Sequence, residues 1–103
     1  MNELVSQIEF KGFEPDEGLR GKFREVFDRI MGSAPSDATP VASLKKIGER
    51  FEGFVQLKSQ QGTFVARVLT ENPFEALQSL NERIFEQIIS WRGARNLFLG
   101  RDS

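Results

Sequence analysis

Residues 51–91 constrain the fold more than any other stretch of the chain. Two alternating runs, residues 51–60 and 63–70, flank Gln61-Gly62, a dipeptide suited to a tight hairpin turn. Directly after them, Glu71-Asn72-Pro73-Phe74-Glu75 has the grammar of a helix start. Asn72 fits the N-cap, Pro73 the first helical position, and Glu75, three residues past the cap, completes a pattern like a capping box. Leu77, Leu80, Ile84, Ile88 and Trp91 then recur on one helical face, with Phe85 and Ile89 widening it. The helix is expected to end near Trp91-Arg92-Gly93. A strand–turn–strand–helix unit of this kind puts a helix against one face of a sheet.

The hairpin can be read in register. With Gln61-Gly62 as the two turn residues, Gln60 pairs with Thr63, Leu57 lies opposite Ala66, and Val55 lies opposite Val68. On the other face Lys58 meets Val65, Gln56 meets Arg67, and Phe54 meets Leu69. The first face is uniformly apolar and is expected to be buried; the second is mixed and is expected to be open.

The N-terminal half supplies the rest of the sheet. Residues 4–13 read as a first strand, with Ile8 and Phe10 alternating with Glu9 and Lys11. Glu14-Pro15-Asp16-Glu17 opens a helix, with Pro15 as its first residue and acids in the first turn. Leu19, Phe23, Val26, Phe27 and Ile30 form its apolar stripe, and Gly32 is the expected C-terminal cap. Residues 33–40 are loop by composition, residues 41–47 a second strand, and Gly48-Glu49-Arg50 a turn. The order is β-α-β-β-β-α. It predicts an α+β fold, a four-stranded sheet with two helices packed on one face. Residues 1–103 are expected to form one domain with an ordered core of about residues 5–95.

Composition narrows the chemistry. The chain of 103 residues has neither Cys nor His, which removes disulfides, thiol nucleophiles, the commonest general base and the commonest zinc ligands. Fourteen basic and 15 acidic residues leave a net charge of −1, so bulk charge does not favour non-specific nucleic-acid binding. Residues 1–7 lack the pattern of a signal peptide, and no apolar run approaches membrane-spanning length. A non-enzymatic, cytoplasmic protein without cofactor or metal is expected.

Several strings, taken in order, resemble the ribosome hibernation-promoting factors, also called ribosome-associated inhibitor or sigma-factor modulation proteins. Glu17-Gly18-Leu19-Arg20 is similar to that family's opening of the first helix, and Phe27-Asp28-Arg29-Ile30 sits where that helix ends. Gly62-Thr63-Phe64-Val65-Ala66 resembles its fourth strand, and Asn72-Pro73-Phe74-Glu75-Ala76-Leu77 its entry to the last helix. The resemblance spans roughly residues 8–95. It implies a stress-response factor that silences translation by occupying the messenger and transfer RNA channel of the small ribosomal subunit, through Lys and Arg on its two helices. Arg20, Arg29, Arg83 and Arg92 match basic positions of the family. Glu86 and Ser90 stand where it commonly carries basic residues, Gly93-Ala94 interrupts its basic end, and a short form without the long dimerisation domain of some members is expected.

The candidate RNA-binding set is therefore Arg20, Lys22, Arg24 and Arg29 on the first helix, Lys45 and Lys46 on the second strand, and Arg83, Arg92 and Arg95 on the last helix. Glu25 and Asp28 interrupt it. A second candidate surface is the open sheet face with Phe54, Val65, Arg67 and Leu69, suited to a protein partner or a homodimer without RNA binding. Residues 1–5 or the apolar Leu97-Phe98-Leu99 are expected to cover that face otherwise. Trp91 is expected at the core edge rather than stacked on a base, and Glu75, Glu82 and Glu86 are read as a solvated acidic face rather than a metal site.

Overall fold

The chain builds β1 (Asn2–Val5), β2 (Ile8–Lys11), α1 (Glu17–Ser33), β3 (Thr39–Ile47), β4 (Arg50–Ser59), β5 (Gly62–Thr70) and α2 (Pro73–Leu99). The computed structural model describes the backbone of residues 2–5 and 8–99 and the side chains of residues 8–93. From β2 to α2 the order is the expected β-α-β-β-β-α, with both helices against one face of a mixed sheet. The strand order is β1-β2-β3-β4-β5. β2 and β3 are parallel and joined through α1, and the other neighbours are antiparallel.

β1 is an addition. The stretch read as one strand over residues 4–13 is instead β2 with part of an antiparallel edge strand, pairing Glu3 with Phe10 and Val5 with Ile8. Backbone pairing of this kind leaves no mark on side-chain alternation. β2 stops at Lys11 because Gly12 takes φ +81°, and a Cβ there would stand 2.9 Å from the Lys46 carbonyl oxygen.

The buried face follows from register. Ile8, Ala42, Val55 and Ala66 form one row across four strands; Phe10, Leu44, Gly53 and Val68 form the next. Leu19, Phe23, Val26, Phe27 and Ile30 of α1 close over them, with Phe10 edge-on to Phe23 at 5.8 Å. Leu77, Leu80, Ile84 and Ile88 of α2 complete the core. Gly53 is the point of closest approach, since a Cβ on it would lie 2.7 Å from Leu80 Cδ1. Trp91 sits at the core edge, as expected, edge-on to Phe64 at 6.0 Å. Ile89 departs from expectation: it is 66% exposed rather than part of the buried stripe.

The hairpin keeps its predicted faces but not its predicted pairs. Ser59 pairs with Gly62, Val55 with Ala66 and Phe54 with Arg67, so the turn residues are Gln60-Gln61. The Ser59 hydroxyl donates to the Gly62 carbonyl at 2.8 Å and accepts from the Gln61 N–H at 3.1 Å, fixing the turn one residue earlier and shifting each cross-strand pair by two. Gly62, at φ +136°, enters β5 in a conformation open to glycine. A slip of two residues preserves which face each side chain joins.

The helix boundaries show where local signals suffice. Asn72 caps α2 as expected, its Oδ1 accepting from the Phe74 N–H at 2.8 Å and the Glu75 N–H at 3.4 Å. In α1 the cap is Asp16, whose Oδ1 accepts from the Leu19 N–H at 2.8 Å, which leaves Pro15 buried just outside the helix rather than at its first position. α1 ends at Ser33 before Ala34-Pro35, not at Gly32, because the residue before a proline is driven out of helical space. α2 continues past Gly93 to Leu99: a single glycine costs only about 1 kcal/mol in a helix already paid for by its buried face.

Candidate functional site

The two helices run side by side in the same direction. Lys22, early in α1, shares a groove with Phe74, early in α2, and Arg92, late in α2, donates to the Ser33 carbonyl at the end of α1 at 2.9 Å. α2 crosses β4 and β5, and the seam between the helices opens away from the sheet.

The expected basic residues fall into separate groups around this seam. Lys22 and Arg29, seven residues apart on α1, both face it. Arg92 lies at its far end, one turn beyond Arg29. Arg24 is on the other flank of α1, held by Asp28 at 3.6 Å, and Arg20, one turn before it, is half-buried. Arg83 is turned toward the sheet edge, where it donates to the Arg67 carbonyl at 3.3 Å. Lys46 stands over the Phe51 ring at 6.0 Å, and Lys45 is on the opposite sheet face, in the row of Lys11, Glu52 and Leu69. The Arg95 side chain lies outside the described residues.

Glu25 is the acid that tempers the seam. Lys22 Nζ donates to its carboxylate at 3.1 Å. That hydrogen bond, then the Lys22 charge, holds the Glu25 carboxyl below its usual range; desolvation opposes them, and Arg29 adds a lesser pull downward. The pair is exposed, so solvent and salt screen it and it holds Lys22 only weakly. An incoming phosphate can therefore compete for Lys22.

The seam contains a groove of about 290 Å³. Its rim is Lys22, Arg29, Phe74 and Gln78, all exposed. Val26, Leu77 and Asn81 form its floor. The Asn81 Oδ1 atom is buried and, among the described residues, has no hydrogen-bond partner. Phe74, Gln78 and Asn81 are contacts that the basic pattern did not reveal. The i, i+4, i+7 spacing from Phe74 matches that of Lys22, Val26 and Arg29 on α1, but spacing alone does not say that the two rows meet.

Among solved structures, a ribosomal subunit interface protein from Coxiella burnetii superposes at a TM-score of 0.68 with 12% identity, over 84% of this chain and 96% of that one. The N-terminal domain of Thermus thermophilus Protein Y superposes at 0.61 with 11% identity and the same coverage. The chain has their fold. No protein-family model and no curated protein matches it. At such identities the likeness is one of backbone, and it agrees with the fold that the resemblance above implies.

The open sheet face is less continuous than its sequence suggests. Phe54 lies across from Arg67, not Leu69, and is half-buried beneath the Arg67 guanidinium at 4.6 Å. Arg67 also donates to Glu52 at 3.0 Å. Val65 and Leu69 are exposed at 45% and 53%, but each faces a polar partner, Gln56 and Glu52. Residues 2–5 do not cover this face; they lie in the sheet beside β2. The side chains of Leu97-Phe98-Leu99 are outside the described residues.

The edge of β5 is occupied by side chains of α2. The Val65 N–H donates to Gln87 Oε1 at 2.9 Å, and Gln87 Nε2 donates back to the Val65 carbonyl at 2.6 Å. With Arg83 on the next outward carbonyl, α2 satisfies the middle of this edge, at Val65 and the Arg67 carbonyl, as a neighbouring strand would. Among the described residues, Glu75, Glu82 and Glu86 do not converge on a metal-binding group, and no helix is long and apolar enough to cross a membrane.

Proposed function

We propose that this protein is a non-catalytic, ribosome-associated factor that contacts ribosomal RNA of the small subunit and so silences translation. The observation that carries the reading is the line of Lys22, Arg29 and Arg92 along the α1–α2 seam, on a fold shared with a ribosomal subunit interface protein. Cations spaced along one helix seam follow a phosphate backbone by charge and shape rather than by base sequence. Arg20, Arg24 and Arg83 extend this surface at its flanks, and the sheet face holding Lys45 is turned away from it. The acids Glu25 and Asp28 set a modest affinity with a shallow salt slope.

Co-sedimentation with purified ribosomes at low and high salt tests the proposal. The expected result is salt-sensitive binding to the small subunit that is lost in Lys22→Gln/Arg29→Gln/Arg92→Gln. Absence of binding at low salt sinks it. The homodimer reading of the open face is weakened by Arg67, which covers Phe54, and by Gln87, which occupies the β5 edge.

A further inference from the structure

We infer that the groove between α1 and α2 takes a single unpaired nucleotide, its base on Phe74 above the Val26–Leu77 floor and its phosphate on Lys22 or Arg29. This rests on the reading of the seam as an RNA contact, but it names a site that phosphate contacts alone do not require.

Four observations converge on it. The first is size: about 290 Å³ is at the low end of ligand pockets, enough for one base and too little for a stacked pair. The second is an exposed aromatic at the rim. Phe74 is 47% exposed although it opens the most apolar helix of the chain, and a base stacked on its ring covers it. The third is charge. Lys22 and Arg29 lie on one side of the groove, about 10 Å apart along the helix axis, so a base between them carries its phosphates toward one or the other.

The fourth is Asn81. Its buried Oδ1 has no partner among the described residues, an unfavourable state for a polar atom. No hydrogen bond holds that oxygen inward, so rotation of the amide into the groove sacrifices none, and a base N–H supplies the missing donor. The base of a duplex cannot enter such a site without leaving its stack. The groove therefore selects single-stranded or bulged RNA over a regular helix.

The test is a titration of isotope-labelled protein followed by NMR, with a hexaadenylate single strand, a blunt RNA duplex and AMP as probes. The expected result is that the hexamer shifts the side-chain amides of Asn81 and Gln78, with AMP shifting the same signals at higher concentration and the duplex leaving them in place. Phe74→Ala should weaken the hexamer about tenfold, the worth of one base–aromatic stack, with little change in duplex binding. Asn81→Ala is the second variant. It should weaken the hexamer while leaving the melting temperature unchanged or raised, because it removes an unsatisfied buried oxygen.

Silent groove amides with hexamer and AMP, or equal shifts with the duplex, overturn the inference. If ribosome co-sedimentation persists in that case, the proposed function stands without the pocket. If the hexamer fills the groove but the protein does not co-sediment with ribosomes, the pocket stands and the ribosomal reading falls.

Discussion

Gly53→Ala tests how tightly the site depends on the sheet beneath it. The added methyl would stand 2.7 Å from Leu80 Cδ1 and 3.2 Å from both Leu80 Cγ and Val68 Cγ2. Carbon atoms in good contact lie about 3.5–4.0 Å apart, so the overlap approaches 1 Å. Leu80 is fully buried and cannot swing away without moving α2. Overpacking of this order costs about 1–3 kcal/mol, while replacing glycine returns about 0.4–1 kcal/mol from the unfolded chain. The expected net loss is about 1–2 kcal/mol, a melting temperature lower by roughly 5–15 °C in a domain of this size.

Urea unfolding followed by the fluorescence of Trp91, which packs on Phe64, gives the stability, and circular dichroism gives the melt. Leu80→Ala alone should cost about 2–5 kcal/mol. In the double variant the new methyl occupies part of the vacated space, so the combined loss should fall short of the sum by about 1 kcal/mol or more. Strict additivity, or a Gly53→Ala protein as stable as the parent, refutes the argument. The stake is functional as well, because Leu80 adjoins Asn81 on α2. A helix lifted from Gly53 also lifts the groove floor.

The other predictions concern charge, caps and edges. Glu25→Gln should strengthen RNA binding several-fold at neutral pH, measured by fluorescence anisotropy, because Lys22 is released from its carboxylate partner. The same carboxyl, held low by Lys22, contributes its small stabilisation above its unfolded pKa and loses it as pH falls through the acid range; parent and variant should therefore converge in RNA affinity at low pH. Asn72→Ala should cost about 1 kcal/mol in urea unfolding by stripping the caps from Phe74 and Glu75. Gln87→Ala should accelerate hydrogen exchange at the Val65 amide well before any change in global stability; unchanged protection there would contradict its role as a strand surrogate.

What was legible in the sequence was whatever a few neighbouring residues decide. Asn72-Pro73 announces α2 because the cap bonds are made within three residues, and the face assignment of β4 and β5 follows from a period of two. The register was not legible, because the Ser59 hydroxyl, not the Gln61-Gly62 dipeptide, sets the turn. β1 was hidden because an edge strand of four residues is chosen by backbone pairing. Of the candidate site, the shared side of Lys22 and Arg29 was visible on a helical wheel. Their meeting with Phe74 and Asn81 required knowing that α1 and α2 run the same way, and helix spacing within one element does not carry that information.

The use of Gln87 and Arg83 along β5 has a consequence for how this molecule can assemble. A sheet normally offers two growing edges. Here the middle of one is covered by amide and guanidinium groups from the same chain, at Val65 and the Arg67 carbonyl, while the edge at β1 has no described strand beyond it. Sheet-to-sheet association is then favoured through β1, in a geometry that joins two copies and leaves a partly covered β5 at each outer end. Such pairing terminates at two, whereas two free edges would permit a filament.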